Sequence, residues 1–385
     1  MSRGDDEAGG SAAGSGERSS HEAASRPNVR IERIDLAPHR WYVERRGEGP
    51  PCLLLHGTGA SGHSWDGLAA RLAARHEVIV PDLPGHGRTR TPNDASLSLE
   101  RTAADVAALL DALDVVPELV VGHSSGAAQV ATLALDGRLP GARLAGIAPA
   151  MLLLDGVAGW LFPPLARLAA GLGWLPRLFA WRARDRRQVR RLLEGTGSRV
   201  DAESLAVYER LLADPVHVAN VLRMMAEWNL AALDARLPSL ERPVRLVAGA
   251  NDRTVPLRVA YRTAARLPNA TLEVLDGLGH LAHEEAPERV AAWLDEAPPP
   301  TGPTTVAARS RGTRGAAEAG SGPPADANRA SSSTADEEHT RATRSPSPRP
   351  RAPVSAPDRA PVDTADDGAS DAASPRPTGT RRRSA

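Results

Sequence analysis

Five residues restrict what this chain can become more than any others. The apolar run Leu119-Val120-Val121 leads straight into Gly122-His123-Ser124-Ser125-Gly126, and an Ala-rich stretch of helical character follows. A strand, a tight turn and a helix in immediate succession force the central serine into a strained backbone conformation, and the flanking glycines leave room for it. The Ser124 hydroxyl is thereby lifted into a cleft beside the partly positive N-terminus of the helix. Ser124 is the candidate nucleophile.

A serine hydroxyl attacks poorly until a base takes its proton. Of eleven histidines, His280 is the best placed, because Asp276-Gly277-Leu278-Gly279-His280 comes directly after the last expected strand on a glycine-loosened loop. The alternative is an ordinary surface-loop histidine. His283 opens the acidic stretch Glu284-Glu285-Ala286-Pro287 and is expected to point outward. No third ligand at suitable spacing follows these two histidines, which argues against a metal site. The imidazole in turn needs a carboxylate to fix its tautomer. Asp252, in Gly249-Ala250-Asn251-Asp252-Arg253-Thr254-Val255-Pro256, lies just beyond an apolar run; its other reading is a cap for the helix that follows. Negative charge developing on a substrate carbonyl would meet backbone N–H groups of Thr58, in His56-Gly57-Thr58-Gly59, and of Ser125. His56 is expected to brace its loop, and His86 and Arg88 to pack and hydrogen-bond within Asp82–Arg88.

Around these motifs apolar runs alternate with helical spacing. Cys52–Leu55, Val78–Val80, Leu119–Val121, Val244–Val247 and Thr271–Leu275 read as strands; Ser64–Ala74, Leu99–Leu113, Leu257–Leu267 and Pro287–Leu294 read as helices. Short continuous apolar strands between helices mean an α/β fold whose mostly parallel sheet is covered on both faces. Two short segments between Ile31 and Val43 read as its antiparallel entry. The alternation pauses for residues 150–235, where the apolar spacing is helical throughout, as in a lid inserted between two halves of a core, 28–149 and 236–297. Residues 1–27 and 298–385 are rich in Gly, Ser, Ala, Pro, Arg and acidic residues. With so little to bury, both are expected to be disordered, the second including the cluster Arg381-Arg382-Arg383.

Composition removes several chemistries. All 47 basic residues are arginine, which excludes a Schiff-base lysine, a P-loop lysine and a Ser-Lys dyad. Formal charge balances to zero, so nothing points to nucleic acid. A single cysteine, Cys52, forbids an intramolecular disulfide and suits a reducing compartment, with the cytoplasm as the expected location. The most apolar stretch, Leu152–Trp181, is broken by Asp155, Arg167, Arg177 and Pro163-Pro164, too often to span a bilayer, while surface contact with a membrane stays open.

Taken together, the motifs resemble the α/β-hydrolase superfamily over residues 30–297, in which Ser124, Asp252 and His280 follow the family's chain order. Four runs carry a closer resemblance: His56-Gly-Thr-Gly-Ala-Ser-Gly-His-Ser-Trp65, Leu178-Phe-Ala-Trp-Arg182, Gly195-Thr-Gly-Ser198 and Gly277-Leu-Gly-His-Leu-Ala-His-Glu-Glu285. They are similar to the magnesium chelatase accessory proteins of bacteriochlorophyll synthesis, the BchO type. That resemblance implies the α/β-hydrolase fold with a helical lid and no cofactor. It also implies a small-molecule substrate such as a porphyrin or its ester, and magnesium chelatase subunits as partners. Trp160, Phe162, Trp174, Phe179, Trp181, Tyr208 and Trp228, with Arg167, Arg177, Arg182 and Arg184, would suit a flat ligand bearing carboxylates. Equally, those aromatics are the lid's own core. Two functions follow: a serine hydrolase of ester or similar acyl bonds, or a non-catalytic porphyrin-binding or chelatase-assembly protein.

Overall fold

The computed structural model describes residues 28–153 and 172–296 and the short strand 305–307. All lie in the first of two compact units, Met1–Arg314; the second, Gly315–Ala385, falls outside the described residues. Outside them too are the stretch 1–27, most of the stretch 298–385, and Trp160, Phe162 and Arg167 of the expected lid.

Strands β1 (Val29–Leu36) and β2 (His39–Arg46) form an antiparallel ribbon, followed by β3 (Pro51–Leu55), helix α1 (Asp66–Leu72), β4 (Glu77–Pro81), α2 (Leu99–Ala112), β5 (Leu119–His123), α3 (Ser125–Leu135) and β6 (Arg143–Ile147). Among the described residues, five helices come next: α4 (Leu175–Arg182), α5 (Arg186–Gly195), α6 (Ala202–Leu212), α7 (Pro215–Glu227) and α8 (Leu230–Arg236). The alternation then resumes with β7 (Val244–Gly249), α9 (Leu257–Arg266), β8 (Ala270–Leu275), α10 (Ala282–Glu285), α11 (Pro287–Asp295) and β9 (Thr305–Ala307). Strand order is β1-β2-β4-β3-β5-β6-β7-β8-β9, with β2 antiparallel to β4 and every pairing from β4 to β9 parallel. This is the α/β-hydrolase fold. The strand Thr305–Ala307 extends its edge from within the stretch 298–385, and β6 adds a strand that the apolar pattern of Arg143-Leu-Ala-Gly-Ile only weakly announces.

Because the central strands are covered on both faces, they are apolar at most positions, with Arg143 and Arg245 among the exceptions, and two hydrophobic clusters form, one on each side. Leu53, Leu55, Val120 and Leu246 face helices α2, α3 and α9; Cys52, Leu54, Val121 and Val247 face α1 and α11, where Trp65, Leu68 and Trp293 are buried. Burial pushes the Cys52 thiol up to about 12, so it acts as a small apolar residue. The sheet turns its strand ends, including the β5–α3, β7–α9 and β8–α10 connections, toward the helical insertion. A third cluster joins the insertion to those ends: Val189, Leu193, Leu205 and Tyr208 pack with Ala60 and Leu281.

Ties of polar atoms hold the insertion in register. Glu227 accepts from the Leu97 N–H at 2.6 Å, the Trp228 indole donates to the Leu97 carbonyl at 2.9 Å, and the Ser198 hydroxyl accepts from the Leu281 N–H at 2.8 Å. No helix among the described residues is long and apolar enough to cross a membrane.

Candidate active site

Ser124 stands where β5 ends and α3 begins, with φ 52° and ψ −114°, a conformation side-chain-bearing residues rarely adopt. What holds it there is backbone pairing on both sides: the Ser124 N–H donates to the Ile147 carbonyl at 2.8 Å, and the Ser124 carbonyl accepts from Ala127 and Ala150, each at 3.1 Å. A Cβ on Gly122 would collide with the Gly126 carbonyl, and one on Gly126 with that of Leu55. The pentapeptide therefore needs glycine at both ends.

His280 and Asp252 come from two other connections and meet. The His280 Nδ1–H donates to Asp252 Oδ2 at 2.8 Å, and both side chains are buried. A carboxylate can only accept, so Nδ1 carries a hydrogen, which in the neutral ring leaves Nε2 as the acceptor. The other carboxylate oxygen, Oδ1, accepts from the Thr254 and Val255 N–H groups, each at 2.8 Å. Asp252 thus does both things the sequence offered as alternatives: one oxygen caps the turn before α9, and the other faces the imidazole.

Thr58 sits on the loop after β3, and its hydroxyl donates to that of Ser125 at 2.9 Å. Ser124, Ser125, Thr58 and His280 all line one cavity of about 580 Å³ between the strand ends and the insertion. A second buried His–Asp pair, His39 Nε2 with Asp105 Oδ2 at 3.0 Å, instead fastens β2 to α2, and neither residue lines that cavity. Among the described residues, no group of three or more His, Cys, Asp or Glu side chains is placed to hold a metal ion.

Two histidines depart from what the sequence suggests or leaves unread. His283 does not point outward: it is fully buried, with its ring tilted against those of Trp65 and His123 at centroid distances of 4.5 Å and 4.3 Å. Neither of its ring nitrogens finds a hydrogen-bond partner among the described residues, and burial pushes it down to about 3, so it is neutral. His123, the second residue of the pentapeptide, donates from Nε2 to the His280 carbonyl at 3.0 Å. It therefore fixes the backbone from which the His280 ring projects, and burial holds it neutral, well below the usual histidine range. A buried histidine beside the serine was the available signal; its partner, 157 residues along the chain, was not.

His56 braces its loop as expected, donating from Nδ1 to the Gly57 carbonyl at 2.9 Å and accepting from the Leu83 N–H at 3.0 Å on Nε2. Asp82 holds the neighbouring turn by accepting from Gly62 at 2.6 Å and Arg88 at 2.7 Å. Burial raises it to about 6 in spite of those bonds.

The aromatic set divides. Tyr208 and Trp228 line the cavity, whereas Trp174, Phe179 and Trp181 on and beside α4 are exposed by 59%, 50% and 62%. Those three belong neither to the lid's core nor to the cavity wall, and Arg177, Arg182 and Arg184 are exposed beside them.

Residues 52–293 match the alpha/beta hydrolase family. The chain is 43% identical over 266 residues to the magnesium-chelatase 30 kDa subunit of Rhodobacter capsulatus, covering 68% of this chain and 93% of that protein. It is 28% identical over 278 residues to a 2-hydroxymuconate semialdehyde hydrolase of Pseudomonas putida, covering 68% and 92%. Among solved structures, an alpha/beta hydrolase fold protein from Burkholderia ambifaria superposes with a TM-score of 0.58 at 29% identity, covering 69% of this chain and 99% of that one. Fold, family match and relatives agree, and the chain belongs to the alpha/beta hydrolase family, with similarity to the magnesium-chelatase 30 kDa subunit.

Proposed function

We propose that the protein is a serine hydrolase of ester or similar acyl bonds that works beside magnesium chelatase in bacteriochlorophyll synthesis. The observation that carries the reading is the 2.8 Å bond from His280 to Asp252, with His280 lining the same cavity as Ser124. In this reading the Ser124 Oγ attacks the substrate carbonyl carbon while His280 Nε2 takes its proton, and Asp252 stabilises the imidazolium that forms. The carbonyl oxygen becomes an oxyanion facing the Thr58 and Ser125 N–H groups. Collapse of the intermediate breaks the bond to the leaving group, which receives the proton from His280. Water, deprotonated by the same ring, then releases the acid and restores the serine.

The place beside the chelatase rests on likeness to the 30 kDa subunit. A deletion strain complemented with wild type or with Ser124→Ala tests both parts. Protoporphyrin accumulating in the deletion, relieved by wild type and not by Ser124→Ala, is the expected result. Normal pigment in the deletion would remove the pathway assignment, and full rescue by Ser124→Ala would remove the need for covalent chemistry.

One observation favours the assembly reading as a second role. The face made by Trp174, Phe179 and Trp181 with Arg177, Arg182 and Arg184 is apolar, cationic and separate from the cavity lining, as suits a surface that docks on a chelatase subunit. Trp181→Glu would then lower pigment without changing esterase turnover, and equal loss of both would reject a separate docking role.

A further inference from the structure

The serine-hydrolase reading leaves open what the cavity accepts, and its wall is chemically one-sided. Beyond the Ser124 end it is built from aliphatic and thioether side chains, among them Leu152, Leu212, Val221, Met224, Met225 and Val259. Among the described residues, no Asp, Glu or Arg lines it. Even lining residues with polar ends turn those ends away. The Tyr208 hydroxyl donates to Glu284 at 2.7 Å, the Trp228 indole donates to the Leu97 carbonyl, and the Thr196 hydroxyl donates to the Leu193 carbonyl at 2.6 Å. Burial lifts Glu284 to about 8, so this pair presents no charge at neutral pH either. Hydrogen-bonding capacity among the described lining residues is thus gathered at the strand-end loops, around Thr58, His123, Ser124, Ser125, Thr254 and His280. The guanidinium-lined cavity nearby, with Arg199, Arg253, Glu194 and Glu285, has none of its residues in common with the lining around Ser124.

Building on the reading of Ser124 as nucleophile, we infer that the chamber takes an uncharged, largely apolar group, so that a substrate enters with any carboxylate on that side esterified rather than free. A free carboxylate would lose its hydration there without a cation or a set of N–H donors in exchange. A neutral chain or ring face loses nothing polar and gains burial against Met224, Met225 and Trp228. A carboxylate-binding role for Arg177, Arg182 and Arg184 therefore does not fall in this chamber, since all three are exposed and absent from its lining; Arg167 lies outside the described residues.

The test is turnover of 4-nitrophenyl esters by the full chain. kcat/KM should climb by roughly three- to fourfold for each added methylene from acetyl toward octanoyl, and by at least about 100-fold in all. The 4-nitrophenyl ester of 7-carboxyheptanoic acid should react at least about 100-fold more slowly than its own methyl ester. Met225→Arg, at a half-buried wall position, should reverse that order. A flat acyl series, or acid and methyl ester turned over equally, would overturn the inference. Binding to Ser124→Ala separates it from the catalytic reading: Nile red held in the chamber should be displaced by ethyl octanoate at least tenfold more readily than by octanoate anion. If that preference appears while no ester is hydrolysed, the chamber chemistry stands and the nucleophile reading falls. If ester turnover depends on Ser124 while the two competitors act equally, the reverse holds.

Discussion

The strand-end loops and the helical insertion are built on different principles. At the strand ends, position is set by backbone hydrogen bonds. Ser124 is clamped by Ile147, Ala127 and Ala150, Asp252 by Thr254 and Val255, and the His280 backbone by His123. The insertion contributes an apolar wall and is fastened through side chains such as Glu227, Trp228, Ser198 and Tyr208. Rigid polar geometry on one side thus faces, among the described residues, a wall without charged side chains on the other. In the proposed function the loops would determine which bond is attacked, and the insertion what is presented to them.

Substitutions on the two sides should therefore differ in kind. Ser124→Ala removes the proposed nucleophile, and kcat for 4-nitrophenyl octanoate should fall by at least about 10⁴-fold with Tm nearly unchanged, since the glycines and backbone clamps remain. Asp252→Asn keeps the Oδ1 acceptor for Thr254 and Val255 but replaces the oxygen facing His280. A fall of about 10³- to 10⁴-fold in kcat, with little change in KM, is expected. If KM rises instead, Asp252 is a capping residue and no more. His123→Ala frees the His280 backbone. Since His123 acts only through position, kcat should drop roughly 10- to 100-fold with the shape of the pH profile intact. A changed profile would mean that the ring exchanges protons in turnover.

The remaining expected effect concerns stability, where two sets of buried groups respond to pH with opposite sign. His56, pushed by burial to about 4, and His283, pushed to about 3, are neutral in the fold, and His86, His123 and His217 are lowered likewise. An unfolded chain would bind protons on these rings below the ordinary value of 6.5. Their contribution is therefore full above 6.5 and is lost as the pH falls toward the values in the fold, by up to about 1.4 kcal/mol per ring per pH unit. Glu284, at the insertion contact, has the opposite sign. Raised from 4.5 to about 8, it confers stability that is full below 4.5 and lost as the pH rises through 8. Melting curves of wild type and Glu284→Gln from pH 5 to 9 should show wild type losing several degrees relative to the variant on the alkaline side. Parallel curves would mean that Glu284 is ionised throughout.

This division also explains what the sequence made legible. The pentapeptide at Ser124, Asp252 after β7 and His280 after β8 are each read from a local pattern, an apolar strand followed by a glycine-rich turn, and the structure puts them on the connections so identified. Local pattern fails where burial depends on distant partners. His283 is followed by two glutamates yet lies under Trp65, more than two hundred residues earlier, and His123 finds its acceptor in a loop that only the sheet order brings close. The insertion is harder still. Helical spacing shows that apolar faces exist, but whether Trp181 or Trp228 turns inward is decided by packing between helices. Tyr208 and Trp228 went to the cavity while Trp174, Phe179 and Trp181 stayed outside.

The claim on which all of this rests is that the Ser124 oxygen is an activated nucleophile, and covalent capture by a fluorophosphonate followed by intact-protein mass measures it most directly. The account predicts one adduct per chain, carried by Ser124, absent in Ser124→Ala and formed at least about 10³-fold more slowly in His280→Ala. An unmodified wild-type protein, or an adduct that persists in Ser124→Ala, would contradict it.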